Sequence, residues 1–428
     1  MTFVRDPLWD NITLDAAAVA VLDTPAVQRL RYVRQVGHAF LVYPGATHTR
    51  FEHALGAYHL TRQALASLDQ RGELDPVSAA DRQAVALAAL LHDIGHYPFS
   101  HGLEEAGFLS HEARGVALLG AGELGAQLRA LGGEALVEEI GLLIRGRSAS
   151  PLQGLISGTL DLDKIDYLSR DARMCGVPYG MVDVDRLLAS LTLVAGRDRG
   201  GSAGAQREDV SGGEIGVHEK GISALESLLF AKYQMYRNVY WHHAVRSATC
   251  MFKRAVRDAV RQGVVTPDRV AGLTDDAFMQ ILVDEGRGTL AAAVRERRLY
   301  KRALDLPASE VPGAAAWIAD DPAVLEQVED RLAVEAGLAP GELLLDFPAR
   351  ASMLSVDLPL RLRDGRVERL TEAGRAGQLG LPRIADELYR TARRLRVFTA
   401  RPPARDLSGV VRVAGMPVEA IAAAEALL

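Results

Sequence analysis

Apolar residues recur at helical spacing through most of the first 190 residues. In FEHALGAYHLTRQALASL, Phe51, Leu55, Tyr58, Leu65 and Leu68 share one face, and Gly72 and Pro76 end the run. The next segment, RQAVALAALLHDIGHYPFSH, is apolar almost without a break up to Leu91. Its helix is predicted to be buried on most sides and to stop near Gly95, before Pro98. Helical patterning continues over 111–148 and 151–173, with Asp161 placed to cap the helix of DLDKIDYLSRDARMCG. After Leu191 two short β-like runs flank a Gly/Ser-rich polar stretch, which predicts a hairpin with a mobile tip near 198–212. Helical periodicity resumes from Ile222 to about Gln262 and across roughly 267–338. The tail from 341, with GELLLDF, LPLRLRDGRVERL and RLRVFTA, mixes strands with at least one helix. The expected layout is mainly α: a helical core over 1–195, a flexible β-hairpin insertion over 196–218, a helical continuation over 219–338 that completes a substrate cavity, and a mixed α+β region over 339–428.

Composition narrows the class. The chain has 428 residues, enough for two or three domains, and its apolar and charged fractions of 48% and 24% are those of a packed, soluble protein. No stretch approaches the roughly 18 apolar residues of a membrane span, and MTFVRDPLWDN lacks the apolar stretch of a secretory signal, so the expected compartment is the cytoplasm. The balance of 49 basic against 55 acidic residues gives −6, which argues against broad nucleic-acid binding. Cys175 and Cys250 match no paired metal or redox spacing. Histidine changes the picture most, because eight of the 11 fall by position 111, pointing to a metal or acid–base site.

Four segments carry that chemistry: HTRFEH, HDIGHYPFSH, His111 and DLDKIDYLSRD. The pair His92-Asp93 offers a nitrogen and an oxygen ligand at the end of an apolar helix, where an unpaired carboxylate would be costly. With His53 and one aspartate of the last segment it makes a His/His-Asp/Asp set that leaves positions open on a six-coordinate divalent ion, the pattern of a catalytic site. Asp161 and Asp163 point about 200° apart around a helix. The apolar side formed by Ile165, Leu168 and Ala172 leaves Asp163, with Tyr167 and Arg170 on its side, as the expected ligand. Lys164, one of five lysines, can put a charge on a phosphate oxygen.

In that order, RFEH, HDIGHYPFSH and DLDKIDYLSRD resemble the HD-domain superfamily, and within it the deoxynucleoside triphosphate triphosphohydrolases. The likeness runs over roughly residues 30–250. It implies a largely helical fold, one divalent ion (Mn, Mg, Fe, Ni, Co or Zn), and hydrolysis of a dNTP to deoxynucleoside and inorganic triphosphate. By motif the metal ligands would be His53, His92, Asp93 and Asp163. His96 and His111 would lie near the α-phosphate, with Glu104 where vertebrate relatives carry aspartate, and one histidine oriented by Glu104 would protonate the leaving sugar oxygen. Gln35 and Val36 resemble the pair that senses the sugar 3′-hydroxyl. Arg50, Lys164 and Tyr167 resemble phosphate and sugar contacts, Asp171 the acceptor from the 3′-hydroxyl, and Arg237 a phosphate-binding arginine. His101, His242 and His243 are further polar candidates for the cavity. The resemblance also implies a homo-oligomer, dimer or tetramer, and admits a nucleotide effector.

Against these stand plainer readings. His38, His48, His59 and His218 have no ligand-like partner at helical spacing and read as ordinary histidines. Tyr233, Tyr236, Tyr240 and Trp241 read as core or subunit contact ahead of a base-stacking platform. The Gly-rich run near 200 lacks the order of a phosphate loop. Two other functions compete: an HD phosphohydrolase acting on a nucleoside monophosphate, cyclic dinucleotide or guanosine tetraphosphate, and a nucleotide-sensing module with a residual site.

Overall fold

The computed structural model describes residues 2–99, 102–104, 108–194, 213–285, 289–311, 321–348, 357–370 and 390–428. It opens with an antiparallel hairpin, β1 (Thr2–Asp6) and β2 (Asp10–Leu14), in a stretch the helical pattern did not separate. Its turn is set by Asp10 at φ 60°, a left-handed conformation that Asp tolerates. Short helices α1 (Ala16–Leu22) and α2 (Pro25–Gln28) lead to α3 (Arg50–Gln70), α4 (Ala79–Leu91), α5 (His111–Leu119), α6 (Gly122–Ile144) and α7 (Leu162–Cys175). The α3 N-terminus is closed by a capping box in which Glu52 accepts from the Thr49 hydroxyl and backbone N–H.

Helix α4 stops at Leu91, earlier than the Gly95 expected, so His92 and Asp93 sit on the turn that follows it. Two arginines hold that turn by its freed carbonyls: Arg29 donates to Ile94 and His96, and Arg114 to Gly95 and His96. Close approach does the rest. A Cβ at Gly95 would lie 1.9 Å from the His111 carbonyl, and one at Gly56 would lie 1.8 Å from the Asp166 carboxylate. Glycine at these two points lets α5 and α7 come against the His-Asp turn and α3, which positions the site.

Further along lie α8 (Val184–Ser190), strands β3 (Leu191–Val194) and β4 (Glu214–His218), α9 (Ile222–Met235), a π-helical turn (Tyr236–Tyr240) and α10 (His243–Arg261). They are followed by α11 (Pro267–Ala271), α12 (Asp275–Asp284) and α13 (Thr289–Arg295), then β5 (Lys301–Pro307), α14 (Pro322–Glu335), β6 (Leu343–Asp346), β7 (Leu358–Arg361), β8 (Val367–Leu370) and β9 (Arg394–Thr399).

The expected hairpin is present as β3 and β4, and it is extended into a larger sheet, because β4 also pairs in parallel with β7 to give the order β3-β4-β7-β8. The tip expected to be mobile lies outside the described residues. The stretch 267–338 is interrupted by β5, which joins β9 and β6 in an antiparallel sheet. The largest apolar cluster lies beneath α3, α4, α6 and α7, a second surrounds α10, α12 and α13, and a third joins α14 to β6, β9 and the C-terminal residues. The fold is mainly helical, as the pattern predicts.

Candidate metal centre

His53 on α3 and His92 after α4 aim at one point. The His53 ring is fully buried and gives its Nδ1 to Asp166 at 2.7 Å, while His92 gives its Nδ1 to the Ala89 carbonyl at 2.8 Å. With those nitrogens spent on oxygen acceptors, both rings present Nε2 inward, and the two atoms lie 3.2 Å apart. Asp163 Oδ1 is 2.8 Å from His53 Nε2 and 3.4 Å from His92 Nε2. Asp93 Oδ1 is 3.4 Å from His92 Nε2, and its Oδ2 is 3.8 Å from His53 Nε2. All four predicted ligands therefore meet. A second imidazole atom fixed on carboxylate or carbonyl is the support that metal-binding histidines carry, and two nitrogen with two oxygen donors suit a mid-series divalent ion. The donor set fits the implied metal.

Electrostatics agree with that fit. Burial opposes charge on His53, yet hydrogen bonds to Asp163 and Asp166 outweigh it and push the imidazole up to about 10. His92 is raised as well: burial opposes the charge, and Asp93 and Asp163 outweigh it. Burial would raise the Asp93 carboxyl, but Arg50, His92 and His96 hold it well below the ordinary carboxylate range. The carboxylates thus call for positive charge at the centre, which protons supply when no cation does.

Asp166 was not singled out in the sequence. Burial alone would raise it, but Arg170 and His53 hold it down at about 2. Arg170, fully buried, pairs with both Asp166 and Asp6 of the first hairpin. Arg170 thus lies on the Asp163 side of α7, as expected, with its guanidinium spent on Asp166 and Asp6. Its i,i+4 spacing to Asp166 was the available signal; the Asp6 partner, far off in sequence, was not readable.

Beside the ligands lies the predicted acid–base group. His96 Nε2 is 3.1 Å from Asp93 Oδ1, and its ring stacks on His111 at 3.9 Å between centroids. Glu104 accepts from both His111 Nδ1, at 2.7 Å, and His111 N, at 2.8 Å. Burial and the nearby Arg50 push His96 well below the usual imidazole value. Two trios have donor atoms close enough for an ion, His53, His92 and Asp93, and Asp93, His96 and His111, which share Asp93. Arg50 is buried with its guanidinium on Asp93 Oδ2, placing a fixed positive charge on that side.

The remaining predicted contacts divide. Asp171 is buried, with His48 Nε2 2.7 Å from Oδ1 and the Tyr240 hydroxyl 2.6 Å from Oδ2. His48 and Tyr240, both read as unremarkable from sequence, therefore belong to this neighbourhood. Tyr167 stands edge-on between His53 and Tyr240. Gln35 takes a backbone bond from its N–H to the His48 carbonyl at 3.0 Å, and Val36 packs in a small cluster with Ala39, Ala46 and Val245. Lys164 is folded back onto Asp161, the N-cap of α7, and the Gly158 carbonyl. His101 lies outside the described residues.

Arg237 is turned elsewhere: it donates to Tyr233 and lines a cleft of about 450 Å³ with Tyr43, His242, His243, Arg302 and Arg396. Lys232, five residues earlier, is a cation whose charge feels Asp161 and Asp163. It is 7% exposed, has no ion pair among the described residues and faces the Tyr236 ring at 5.9 Å; burial and the charge of Lys164 push its amine down to about 8. The π-helical turn after Met235 shifts the helical register between Lys232 and Tyr240, which spacing in the sequence does not reveal. No helix among the described residues is long and apolar enough to cross a membrane.

Comparison with known proteins bears on this geometry. The family model described as the HD domain matches residues 50–171, and that described as the HD associated region matches residues 182–400. The chain is 34% identical over 320 residues to an uncharacterised protein of Methanocaldococcus jannaschii, covering 74% of this chain and 63% of that one. It is 26% identical over 390 residues to the deoxynucleoside triphosphate triphosphohydrolase SAMHD1 of Gallus gallus, covering 75% and 60%. The matched part thus spans less than two-thirds of either relative. Among solved structures, a phosphohydrolase of Bacteroides thetaiotaomicron superposes with a TM-score of 0.70 at 23% identity, covering 94% of this chain and 100% of that one, a likeness of fold.

Proposed function

The chain belongs to the HD-domain proteins that carry an HD-associated region, and from that premise we propose that it is a metal-dependent phosphohydrolase that cleaves a deoxynucleoside triphosphate to deoxynucleoside and inorganic triphosphate. The observation that carries the reading is the convergence of His53 Nε2, His92 Nε2, Asp93 and Asp163 on one point, beside the stacked His96–His111 pair. A divalent ion in such a set supplies Lewis acidity to a phosphoryl oxygen and makes water a better nucleophile near neutral pH.

The chain's own groups divide the remaining work. Arg50 and Lys232 provide fixed positive charge for the phosphates, and Lys164 adds to it once it leaves Asp161. Glu104 grips His111 at Nδ1 and at its backbone N–H, so His111 is the imidazole oriented to protonate the leaving 5′-oxygen. Asp171, with Gln35 nearby, meets the sugar, and Tyr167 fills the space between sugar and metal ligands. Relatives named for dNTP hydrolysis support this substrate over the other HD substrates.

The same reading includes a nucleotide effector and a homo-oligomer, dimer or tetramer. The separate cleft, with Arg237, Arg302, Arg394 and Arg396 against Asp305, has the charge to take an effector's phosphates. The test is direct. Purified protein with Mn²⁺ or Mg²⁺ is given each dNTP, with and without added GTP, and the phosphorus products are separated. Inorganic triphosphate is expected, and Asp163→Ala should abolish it in a folded protein. Release of pyrophosphate or phosphate alone would favour another HD chemistry, and no turnover with any metal would favour the sensing module.

A further inference from the structure

The carboxylate of Asp171 is held from two sides. His48, on the loop that enters α3, reaches Oδ1 with Nε2 at 2.7 Å, and Tyr240, on the π-helical turn after α9, donates to Oδ2 at 2.6 Å. Both His48 and Asp171 are at most 3% exposed. A buried carboxylate with a donor on each oxygen has one orientation, and its remaining lone pairs point in fixed directions. His48 also acts through its backbone. Its carbonyl accepts from Gln35 N–H, Arg50 N–H bonds the Val33 carbonyl, and Arg34 bridges Thr49, so the 33–35 stretch is zipped to 48–50. One residue thus fixes Gln35 with its main chain and Asp171 with its ring.

The position suits a sugar. Asp171 touches Tyr240, which stands edge-on to Tyr167 at 6.4 Å, and Tyr167 stands edge-on to His53 at 6.5 Å. Two aromatic rings, Tyr240 and Tyr167, link the gripped carboxylate to the metal-site residue His53. Among the described residues nothing bonds His48 Nδ1, so the ring's hold on Asp171 rests on Nε2 alone.

We propose that His48 is the positioning residue that sets selectivity for the substrate's 3′-hydroxyl, by orienting Asp171 and registering Gln35 against it; this rests on the dNTP reading above. The donor that matters is a nitrogen at the Nε2 position. Glutamine places its amide nitrogen at a similar reach from the backbone, and asparagine falls short.

The experiment compares kcat and KM for a dNTP and the matching 2′,3′-dideoxynucleoside triphosphate in the wild type, His48→Ala, His48→Gln and His48→Asn, with Mn²⁺ content and thermal melting measured alongside. In the wild type the ratio of the two kcat/KM values favours the 3′-hydroxyl. His48→Ala and His48→Asn are expected to lower that ratio at least tenfold, chiefly through KM of the dNTP, with one metal ion per chain retained. His48→Gln is expected to restore most of it. An unchanged ratio in folded, metal-loaded His48→Ala overturns the role of His48 while leaving the dNTP reading intact, as does a loss that His48→Gln does not rescue. Wild-type protein that turns over neither nucleotide overturns both. Should His48→Ala not fold, the ratio in His48→Gln against His48→Asn decides by the same criterion.

Discussion

Two buried charge clusters in this molecule are built on opposite plans. Around Arg254 on α10, cations and anions face each other directly: Arg254 reaches Asp330 at 2.9 Å and Glu329 at 3.6 Å, and Arg257 reaches Glu329 at 3.2 Å. Glu329 also accepts from Leu345 N–H, tying α14 to β6. Around His53, by contrast, inward-facing imidazole nitrogens lie 3.2 Å apart and are ringed by carboxylates, while each ring is fixed from behind. The first cluster sets each charge against an opposite one and joins elements of the fold. The second is satisfied only by positive charge brought to its centre. Buried charge is expensive in either case, so the arrangement of partners separates a structural knot from a site.

If the first cluster is structural, removing its cation should cost stability and nothing else. Arg254→Met deprives Asp258, Glu326, Glu329 and Asp330 of a shared cation and is expected to destabilise the protein by about 3 kcal/mol or more, read by chemical denaturation, while turnover per folded molecule is unchanged. Lost turnover with unchanged stability would break the distinction.

Lys232 sharpens it from the other side. Its amine is held at about 8 in the fold against an ordinary value of 10.5, so its charge opposes folding at neutral pH by about 3 kcal/mol, and that cost fades as pH rises from 8 toward 10.5. Lys232→Met should therefore raise the melting temperature at pH 7, with less advantage at pH 10, and should raise KM for a dNTP. A group kept for stability would show the reverse.

Asp166→Asn preserves shape but removes the charge behind His53. Metal affinity is expected to fall 10- to 100-fold, as for other partners of metal-binding histidines, measured by titration with Mn²⁺. The smallest effect belongs to Asp346. Burial opposes its charge, but Arg246 and Arg396 outweigh it and hold the carboxyl below its ordinary value. The stability it contributes is complete above about pH 4 and is lost as pH falls through the folded value. The melting-temperature difference between wild type and Asp346→Asn should shrink below pH 4; a constant difference would exclude the pair as its source.

The sequence shows why the second cluster could be read and its supports could not. His53, the His92-Asp93 pair and Asp163 each sit in a recognisable segment, and the order of those segments, which resembles the HD-domain superfamily, grouped them, with helix geometry choosing Asp163 over Asp161. The helical core was legible because its apolar periods are long, and β3 and β4 because a Gly/Ser-rich polar stretch separates two short apolar runs. The supports depend on contacts between distant segments. Asp6 reaches Arg170 across 164 positions, and His48 and Tyr240 meet Asp171 from separate elements. Arg237 was placed by resemblance to a phosphate-binding arginine of the family; it lies in the π-helical turn, while Lys232, earlier on α9, is a cation that feels Asp161 and Asp163. Strand β5 was missed because KRALDLP carries three charged residues and none of the seven is buried, so no apolar alternation marks it.

The most direct measurement is calorimetric titration of metal-stripped protein with Mn²⁺, in the wild type and in Asp163→Ala, with circular dichroism showing both folded. One ion per wild-type chain and greatly weakened binding in the variant are expected. Wild-type protein that binds no divalent ion, or a variant that binds it as tightly as the wild type, would contradict the assignment of His53, His92, Asp93 and Asp163 as a metal centre.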